Sequence, residues 1–179
     1  MATFDDNTLY ILDSYGLIYR AYFAFISHPL TNSKGENISA VFGFFRNLAN
    51  VLQHYKPKCL VAALDSIGPT FRHDRYPEYK ANRPKSPDDL IAQIPWIEEI
   101  LETLGIPSIR VNGYEADDVI ATLARKCENA GRTCRILSGD KDLMQLVDDY
   151  VQILKPDPQG TWKVVGPEGV KAEWGVMPD

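Results

Sequence analysis

The sequence predicts an α/β fold with a mainly parallel central sheet flanked by helices. Short apolar runs alternate with longer segments of helical periodicity, as in folds whose parallel strands are joined by crossover helices. Three of the four apolar runs lead into an aspartate, namely Asp13, Asp65 and Asp140. The 179 residues suffice for one compact domain, and 45% of them are hydrophobic, which is enough to build its core.

The apolar runs give the four predicted strands, which are 9–12, 59–64, 135–137 and 151–154. The first predicted helix, 38–55, carries apolar side chains at helical spacing, among them Val41, Phe45 and Leu48. These residues would form the face of the helix that packs against the sheet.

Two more helices are predicted further along the chain. Residues 87–104 begin after Ser86 with acids in the first turn and end at Gly105, and Pro95 is expected to kink this helix. Residues 115–130 have one apolar face and precede a glycine. Helices and strands therefore alternate along most of the chain.

Composition narrows the functional classes. No apolar run approaches the roughly 20 residues that span a bilayer, and the first residues carry acids where a secretory signal has bases. Three cysteines without CxxC spacing predict free thiols in the cytoplasm and do not favour a zinc site. The net charge of −5 does not decide whether nucleic acid is a partner, since two bound divalent cations would change it by +4 to −1.

Acidic residues cluster at positions where a parallel sheet would bring them together. Ligand sites in such sheets lie at the carboxyl ends of the strands. Carboxylates placed this close repel one another, and oxygen-only ligands suit Mg²⁺ or Mn²⁺. Two such ions would stabilise the attacking and leaving oxygens of a phosphodiester. The candidate metal ligands are Asp13, Asp65, Glu115, Asp117, Asp118, Asp140 and Asp142.

Each of these acids also has a structural interpretation. An aspartate after a strand is often a turn former or a helix N-cap. Asp118 has the strongest claim to a structural role, in the first turn of the helix that follows Glu115. The set as a whole is harder to explain without a counter-ion.

A basic and aromatic segment, TFRHDRYPEYKANRPK, follows Asp65 and predicts a mobile loop that contacts nucleic acid. A solvated surface loop is the alternative. Tyr19 could stack on a base and Arg20 could pair with a phosphate, although a core aromatic and a carboxylate partner are equally open. The other candidate nucleic-acid contacts are Arg72, Arg75, Tyr76, Lys80 and Arg83.

The ordered motifs LDSYGLIYRAYFA, LDSIGPTFRHDRYPEYKANR, GYEADDVIATLA and SGDKDLMQLV resemble the 5′-nuclease domain of bacterial DNA polymerase I, a relative of flap endonucleases. The resemblance covers residues 9–179. It implies a PIN-like α/β domain with a basic arch, which removes RNA primers and 5′ flaps in DNA replication and repair. It also implies two divalent ions, DNA as a partner, and a polymerase domain in the same parent chain.

The resemblance also implies roles for single residues. Ligands or close partners of the first ion would be Asp13, Asp65, Glu115 and Asp117. Asp140 falls where the family has a residue shared by both ions, and Asp142 falls on the side of the second ion. Asp118 matches an acidic position of the bacterial members.

The catalytic groups implied by the resemblance lie beside the predicted ions. Lys80 and Arg83 match basic residues of the arch that the 5′ strand threads, and Tyr19 matches an aromatic that stacks near the scissile phosphate. The family continues with a helix–three-turn–helix segment, whereas this sequence ends at WGVMPD. Residues 1–179 are therefore expected to form the N-terminal nuclease domain alone, with an incomplete second metal site.

Three other functions would explain part of the sequence. A haloacid-dehalogenase-type phosphatase needs an acid two residues after its nucleophile, but Asp13 is followed by Ser14 and Tyr15. A PIN-type ribonuclease would share the acidic cluster, although the long basic segment counts against it. A DNA-binding fragment that has lost catalysis through truncation stays open.

Overall fold

Six strands form one sheet within the part of the chain that the computed structural model describes, residues 5, 7–157 and 160–178. Their order across the sheet is β3-β2-β1-β4-β5-β6. Strand β6 is antiparallel to β5, and all other neighbours are parallel, which confirms the mainly parallel sheet. The strands are β1 (Leu9–Asp13), β2 (Cys59–Leu64), β3 (Ser108–Arg110), β4 (Cys134–Leu137), β5 (Val151–Pro156) and β6 (Trp162–Val165).

Helices cover both faces of the sheet. They are α1 (Ser14–Ala24), α2 (Ser39–Tyr55), α3 (Phe71–Arg75), α4 (Asp88–Ile91), α5 (Ile94–Thr103), α6 (Ala116–Asn129) and α7 (Pro167–Trp174), with a 3-10 helix at Asp142–Leu146. Successive side chains of a strand point to opposite faces. Leu12 of β1 accordingly packs with α1, α2 and α5, whereas Ile11 packs with α6 and α7.

The four predicted strands and the helices 38–55 and 115–130 are confirmed with small shifts at their ends. Strands β3 and β6 and helix α7 were not predicted, because they are too short to show a clear period. No helix among the described residues has the length and apolar character needed to cross a bilayer.

The prediction of a single helix over 87–104 was wrong, because the chain breaks between α4 and α5 at Gln93. The buried side chain of Gln93 accepts hydrogen bonds from the N–H groups of Ala40 and Val41, at 2.9 and 3.3 Å. It also donates to the carbonyl of Asp89 at 2.9 Å. The break lies just before Pro95, close to the expected kink, and it lets Gln93 cap the start of α2.

The order of the strands fixes where a site can form. From β1 the chain adds β2 and β3 on one side, then crosses to add β4 and β5 on the other. The order therefore reverses between β1 and β4, and a crevice opens at their carboxyl ends.

Truncation of Phe44 tests how α2 is packed. Phe44 is buried against the sheet, whereas Phe42 on the same helix is 46% exposed. We expect Phe44→Ala to lower the free energy of unfolding by roughly 3–5 kcal/mol, because it leaves a cavity. Phe42→Ala should cost less than about 1 kcal/mol. Urea denaturation measures both, and equal losses would contradict this packing.

Candidate metal centre and nucleic-acid surface

One cleft at the carboxyl edge of the sheet collects acidic residues from four distant parts of the chain. Its volume is about 250 Å³. Tyr19, Lys80 and Arg83 also line it. The acidic lining consists of Asp13, Asp65, Glu115, Asp117 and Asp140.

Asp13 ends β1 and caps α1. Its Oδ1 accepts the N–H of Gly16 at 3.1 Å, and its Oδ2 accepts the hydroxyl of Ser138, which follows β4. Burial raises the pKa of Asp13, and the nearby carboxylates of Asp140 and Asp65 add to the rise, while the two hydrogen bonds oppose it. A Cβ at Gly16 would lie 2.3 Å from Oδ2, so this close approach requires glycine.

Asp65 follows β2 and is tied to the start of α6. Its Oδ1 accepts the N–H of Ala116 at 2.7 Å, at the positive end of the helix dipole. The next residue, Ser66, donates its N–H to the carbonyl of Tyr114 at 3.2 Å and accepts the N–H of Gly113 at 2.9 Å. These bonds bring the end of β2 and the start of α6 into contact.

Glu115 is a buried carboxylate at the N-cap of α6. Its Oε1 accepts a hydrogen bond from the ammonium of Lys80 at 2.5 Å, and its Oε2 accepts the hydroxyl of Tyr79 at 3.0 Å. Both donors belong to the basic segment 70–85. Glu115 therefore connects the acidic cluster directly to that segment.

Asp117 carries the clearest sign of charge crowding. Burial, followed by repulsion from Asp13, Asp140, Asp65 and Glu115, raises its pKa to about 6. The raised pKa shows that the buried cleft disfavours a further negative charge at this position.

The donor set of the cleft suits a hard divalent cation. Its described lining offers carboxylate oxygens and neither histidine nor cysteine, as Mg²⁺ and Mn²⁺ prefer. No three acidic, histidine or cysteine side chains in the described part of the chain already form a chelating group. Asp13, Asp65 and Glu115 point instead to protein donors. A carboxylate has several lone pairs, so Asp65 can bind an ion and keep the N–H of Ala116, whereas an ion at Glu115 would compete with the ammonium of Lys80.

Two predicted metal ligands are not in the lining of the cleft. Asp118 accepts a bidentate pair of hydrogen bonds from Arg72, at 2.7 and 2.8 Å, and caps the N–H of Glu115 at 3.0 Å. Hydrogen bonding to Arg72 lowers the pKa of Asp118. These contacts favour the structural role in the first turn, and the assignment of Asp118 as a metal ligand stays a prediction. Asp142 is exposed, and its N–H donates to Oδ1 of Asp140 at 2.8 Å.

The basic segment is more regular than the predicted loop. Residues Phe71–Arg75 form α3, which Thr70 and His73 cap reciprocally. The guanidinium of Arg72 is held by Asp118, and its contact with nucleic acid stays a prediction. Arg75 and Tyr76 are exposed, with Arg75 lying 5.7 Å from the centre of the Phe71 ring.

The remaining predicted contacts lie around the cleft mouth. The hydroxyl of Tyr19 hydrogen-bonds that of Ser86, which holds the aromatic ring beside the basic segment. Arg83 is exposed on the cleft. Arg20 is exposed outside the cleft lining and donates to the carbonyl of Asp157 at 3.1 Å.

Several supporting groups had not been identified from the sequence. Ser138 follows a buried strand just as the aspartates do, and that position was a usable signal. Gly16 carries no signal beyond its closeness to Asp13, and Tyr79 is one of several aromatic residues in the basic segment, with nothing in the sequence that singles it out. Partners far apart in sequence, such as Arg72 and Asp118, leave no local pattern.

Comparison with known proteins identifies the class. Residues 8–175 match the model of a family described as the 5′-3′ exonuclease, N-terminal resolvase-like domain. The chain belongs to this family. Its fold, its acidic cleft and its basic segment are thus those of one member of a nuclease family.

The similar proteins are longer than this chain. It is 52% identical over 176 residues to a DNA polymerase I of Treponema pallidum, a match that covers 97% of the chain and 18% of that relative. It is 44% identical over 172 residues to a 5′-3′ exonuclease of Aquifex aeolicus, covering 96% and 58%. The chain therefore spans less than two thirds of either relative.

Solved structures share the fold at low sequence identity. The T5 5′-exonuclease with bound zinc ions aligns with a TM-score of 0.67 and 17% identity, covering 94% of this chain and 61% of that one. The catalytic core of Rad2 in complex with DNA aligns with a TM-score of 0.53 and 18% identity, covering 97% and 52%. These matches support the PIN-like 5′-nuclease architecture.

Removal of the Asp117 charge should stabilise the metal-free protein at neutral pH. Its pKa of about 6 exceeds the ordinary 3.8, so the folded state binds the proton more tightly and stability falls as pH rises from about 4 to about 6. Asp117→Asn should therefore raise the melting temperature in EDTA near pH 7.5, and much less near pH 4.5. The exposed Asp149→Asn is the control. A melting temperature of Asp117→Asn equal to that of the wild type at both pH values would contradict the raised pKa of Asp117.

Proposed function

We propose that the chain is a metal-dependent 5′-3′ exonuclease and flap endonuclease that hydrolyses phosphodiester bonds of 5′-flapped DNA or RNA primers. The observation that carries this proposal is the shared cleft, in which five carboxylates lie beside Lys80 and Arg83. Carboxylates bind cations, and the basic side chains of Lys80 and Arg83 attract phosphates. One cleft therefore offers both a cation site and a phosphate site, which phosphodiester hydrolysis requires. Membership of an exonuclease family supports the same activity.

The residues divide into two groups by the atoms that they would contact. Mg²⁺ or Mn²⁺ would be held by Asp13, Asp65, Asp117 and Asp140, with Glu115 as a ligand or close partner. When bound, such ions activate water and stabilise charge on the attacking and leaving oxygens. Asp142 would serve the side of a second ion.

The second group handles the nucleic acid. Lys80 and Arg83 would bind the phosphate beside the scissile bond, and Tyr19 would stack on the adjoining base. Lys80 donates to Glu115 in this structure. Its ammonium would therefore leave Glu115 for a phosphate when substrate enters. Arg75 and Tyr76, which are exposed, and Arg20 would contact the strand further out.

The similar proteins suggest a cellular setting for the chain. The DNA polymerase I is several times longer than the chain, and the 5′-3′ exonuclease is nearly twice as long. We therefore propose that the chain corresponds to the nuclease part of a DNA polymerase I, with a polymerase domain in the same parent chain. It would act in replication and repair in the cytoplasm. Three free cysteines are typical of such a reducing compartment.

Cleavage of matched substrates tests the function. A labelled 5′-flapped DNA duplex and a single-stranded RNA are incubated with the chain in Mn²⁺, and flap binding is measured in Ca²⁺. We expect cutting of the flap and little cutting of the RNA. Preferred cutting of the RNA would indicate the ribonuclease. Tight binding of the flap without any cutting in Mn²⁺ would indicate a DNA-binding fragment.

Loss of Asp140 should weaken the metal centre most clearly, because the residue is exposed at the cleft and is proposed to touch both ions. We expect Asp140→Asn to weaken Mn²⁺ binding by about tenfold or more, measured by calorimetry. Asp149→Asn, an exposed change outside the cleft lining, should bind Mn²⁺ as the wild type does. Equal affinities for Asp140→Asn and wild type would remove Asp140 from the ligand set.

Replacing Lys80 or Arg83 with alanine should have different effects on the free energy of unfolding but the same effect on flap binding. Lys80→Ala removes a donor from buried Glu115 and should cost roughly 1–3 kcal/mol in metal-free buffer. Arg83→Ala changes an exposed residue and should cost less than about 0.5 kcal/mol.

Each variant should also flatten the salt dependence of flap binding by about 0.7 in log–log slope, the value for one lost single-strand phosphate contact. Lys126→Ala, on the exposed side of α6, is the matched control. If the salt dependence of flap binding is the same in both variants as in the wild type, the basic segment 70–85 is a solvated surface loop that does not contact phosphates.

A further inference from the structure

Arg110, the last residue of β3, connects three elements behind the cleft without belonging to its lining. Its Nε donates to the carbonyl oxygen of Asp65 at 2.8 Å. Its two terminal nitrogens donate to the carboxylate oxygens of Glu98 on α5, at 2.6 and 3.3 Å. The guanidinium also lies near Tyr15, at the start of α1, and its charge opposes the rise in the pKa of that hydroxyl. The side chain of Arg110 therefore joins β3 to the end of β2 and to α5.

Asp65 needs this support because the strand pairing stops just before it. Strand β2 ends at Leu64, whose register partner in β3 is Arg110 itself. The carbonyl of Asp65 comes after the last paired residue, and backbone carbonyls in partly buried positions require a donor. The side chain of Arg110 supplies that donor in place of another step of the ladder.

Two anchors then hold Asp65 from opposite ends. Arg110 binds its main-chain carbonyl, and the N–H of Ala116 binds Oδ1 of its carboxylate at 2.7 Å. Fixing the carbonyl and one carboxylate oxygen restricts the direction in which the second oxygen can point. That oxygen belongs to a residue of the cleft lining.

The contacts of residue 110 with Asp65 and Glu98, here called the Asp65 clamp, require arginine. Its planar guanidinium presents five donors in a fixed fork, so it can serve the carboxylate of Glu98 and the carbonyl of Asp65 together, whereas a lysine is a single point charge.

We infer that Arg110 is a positioning residue for the metal centre: with Glu98 it fixes the main chain of Asp65, and thereby the direction of a carboxylate that holds the cation. The inference rests on the proposed metal-dependent nuclease function and adds a supporting residue to it. Outer partners that orient a metal ligand change metal affinity when they are removed. A plain surface ion pair between Arg110 and Glu98 would change stability alone.

Three variants and a control separate these roles. Arg110→Met keeps the length of the side chain and removes every donor, Arg110→Lys keeps the charge, and Glu98→Gln loosens the Asp65 clamp. The control is Arg125→Met, which breaks an ion pair with Glu128, at 2.7 Å, outside the cleft lining. Mn²⁺ affinity is measured by calorimetry, folding by thermal melting, and flap cleavage under single-turnover conditions across a Mn²⁺ series.

Arg110→Met should weaken Mn²⁺ binding by about tenfold or more and shift the Mn²⁺ dependence of cleavage by the same factor. Saturating Mn²⁺ should restore most of the rate, since the reacting groups themselves remain. Arg110→Lys should recover only part of the affinity, Glu98→Gln should lose a smaller part, and Arg125→Met should behave as the wild type.

A folded Arg110→Met protein with wild-type Mn²⁺ affinity would overturn the inference. If that variant does not fold, Glu98→Gln decides, and wild-type Mn²⁺ affinity in Glu98→Gln would overturn it equally. Wild-type protein that binds Mn²⁺ but does not cleave the flap would refute the nuclease function while leaving the affinity comparison valid. Cleavage by the wild type, with unchanged Mn²⁺ affinity in the variants, would refute the role of Arg110 alone.

Discussion

Repulsion among carboxylates is the constraint on which the site depends. The strand order reverses between β1 and β4, which places Asp13 at a crevice that also receives Asp140, while the end of β2 and the start of α6 add Asp65 and Asp117. Burial, together with the charge of the neighbouring carboxylates, raises the pKa of Asp117 to about 6. Clustered charges of one sign persist in a fold only where donors or cations compensate them.

Protein donors compensate part of this charge, and their hydrogen bonds connect the cluster to its surroundings. Asp13 uses Ser138 and Gly16, Asp65 uses Ala116, and Glu115 uses Lys80 and Tyr79. The donors to Glu115 lie in the basic segment, so a cation that draws Glu115 away would also free the ammonium of Lys80, which we propose binds a phosphate. Arg72 stays paired with Asp118 and keeps the segment attached to α6.

The sequence predicted the sheet and the convergence of the acids because both follow from local patterns. Buried parallel strands are continuous apolar runs, and an aspartate after such a run must lie at the carboxyl edge. The supports of the site could not be predicted in this way. Gln93 breaks a helix to cap another one, Arg72 reaches Asp118 across 46 positions, and Arg110 lies in a strand of three residues. Each partnership depends on tertiary packing and leaves no period in the sequence.

Anomalous diffraction from crystals soaked in Mn²⁺ tests most directly whether the acidic cleft is a metal centre. The account predicts a strong anomalous peak between the carboxylates of Asp13, Asp65, Asp117 and Asp140, with the ammonium of Lys80 displaced from Glu115. The absence of a peak in the cleft at millimolar Mn²⁺, with an unchanged contact between Lys80 and Glu115, would contradict it.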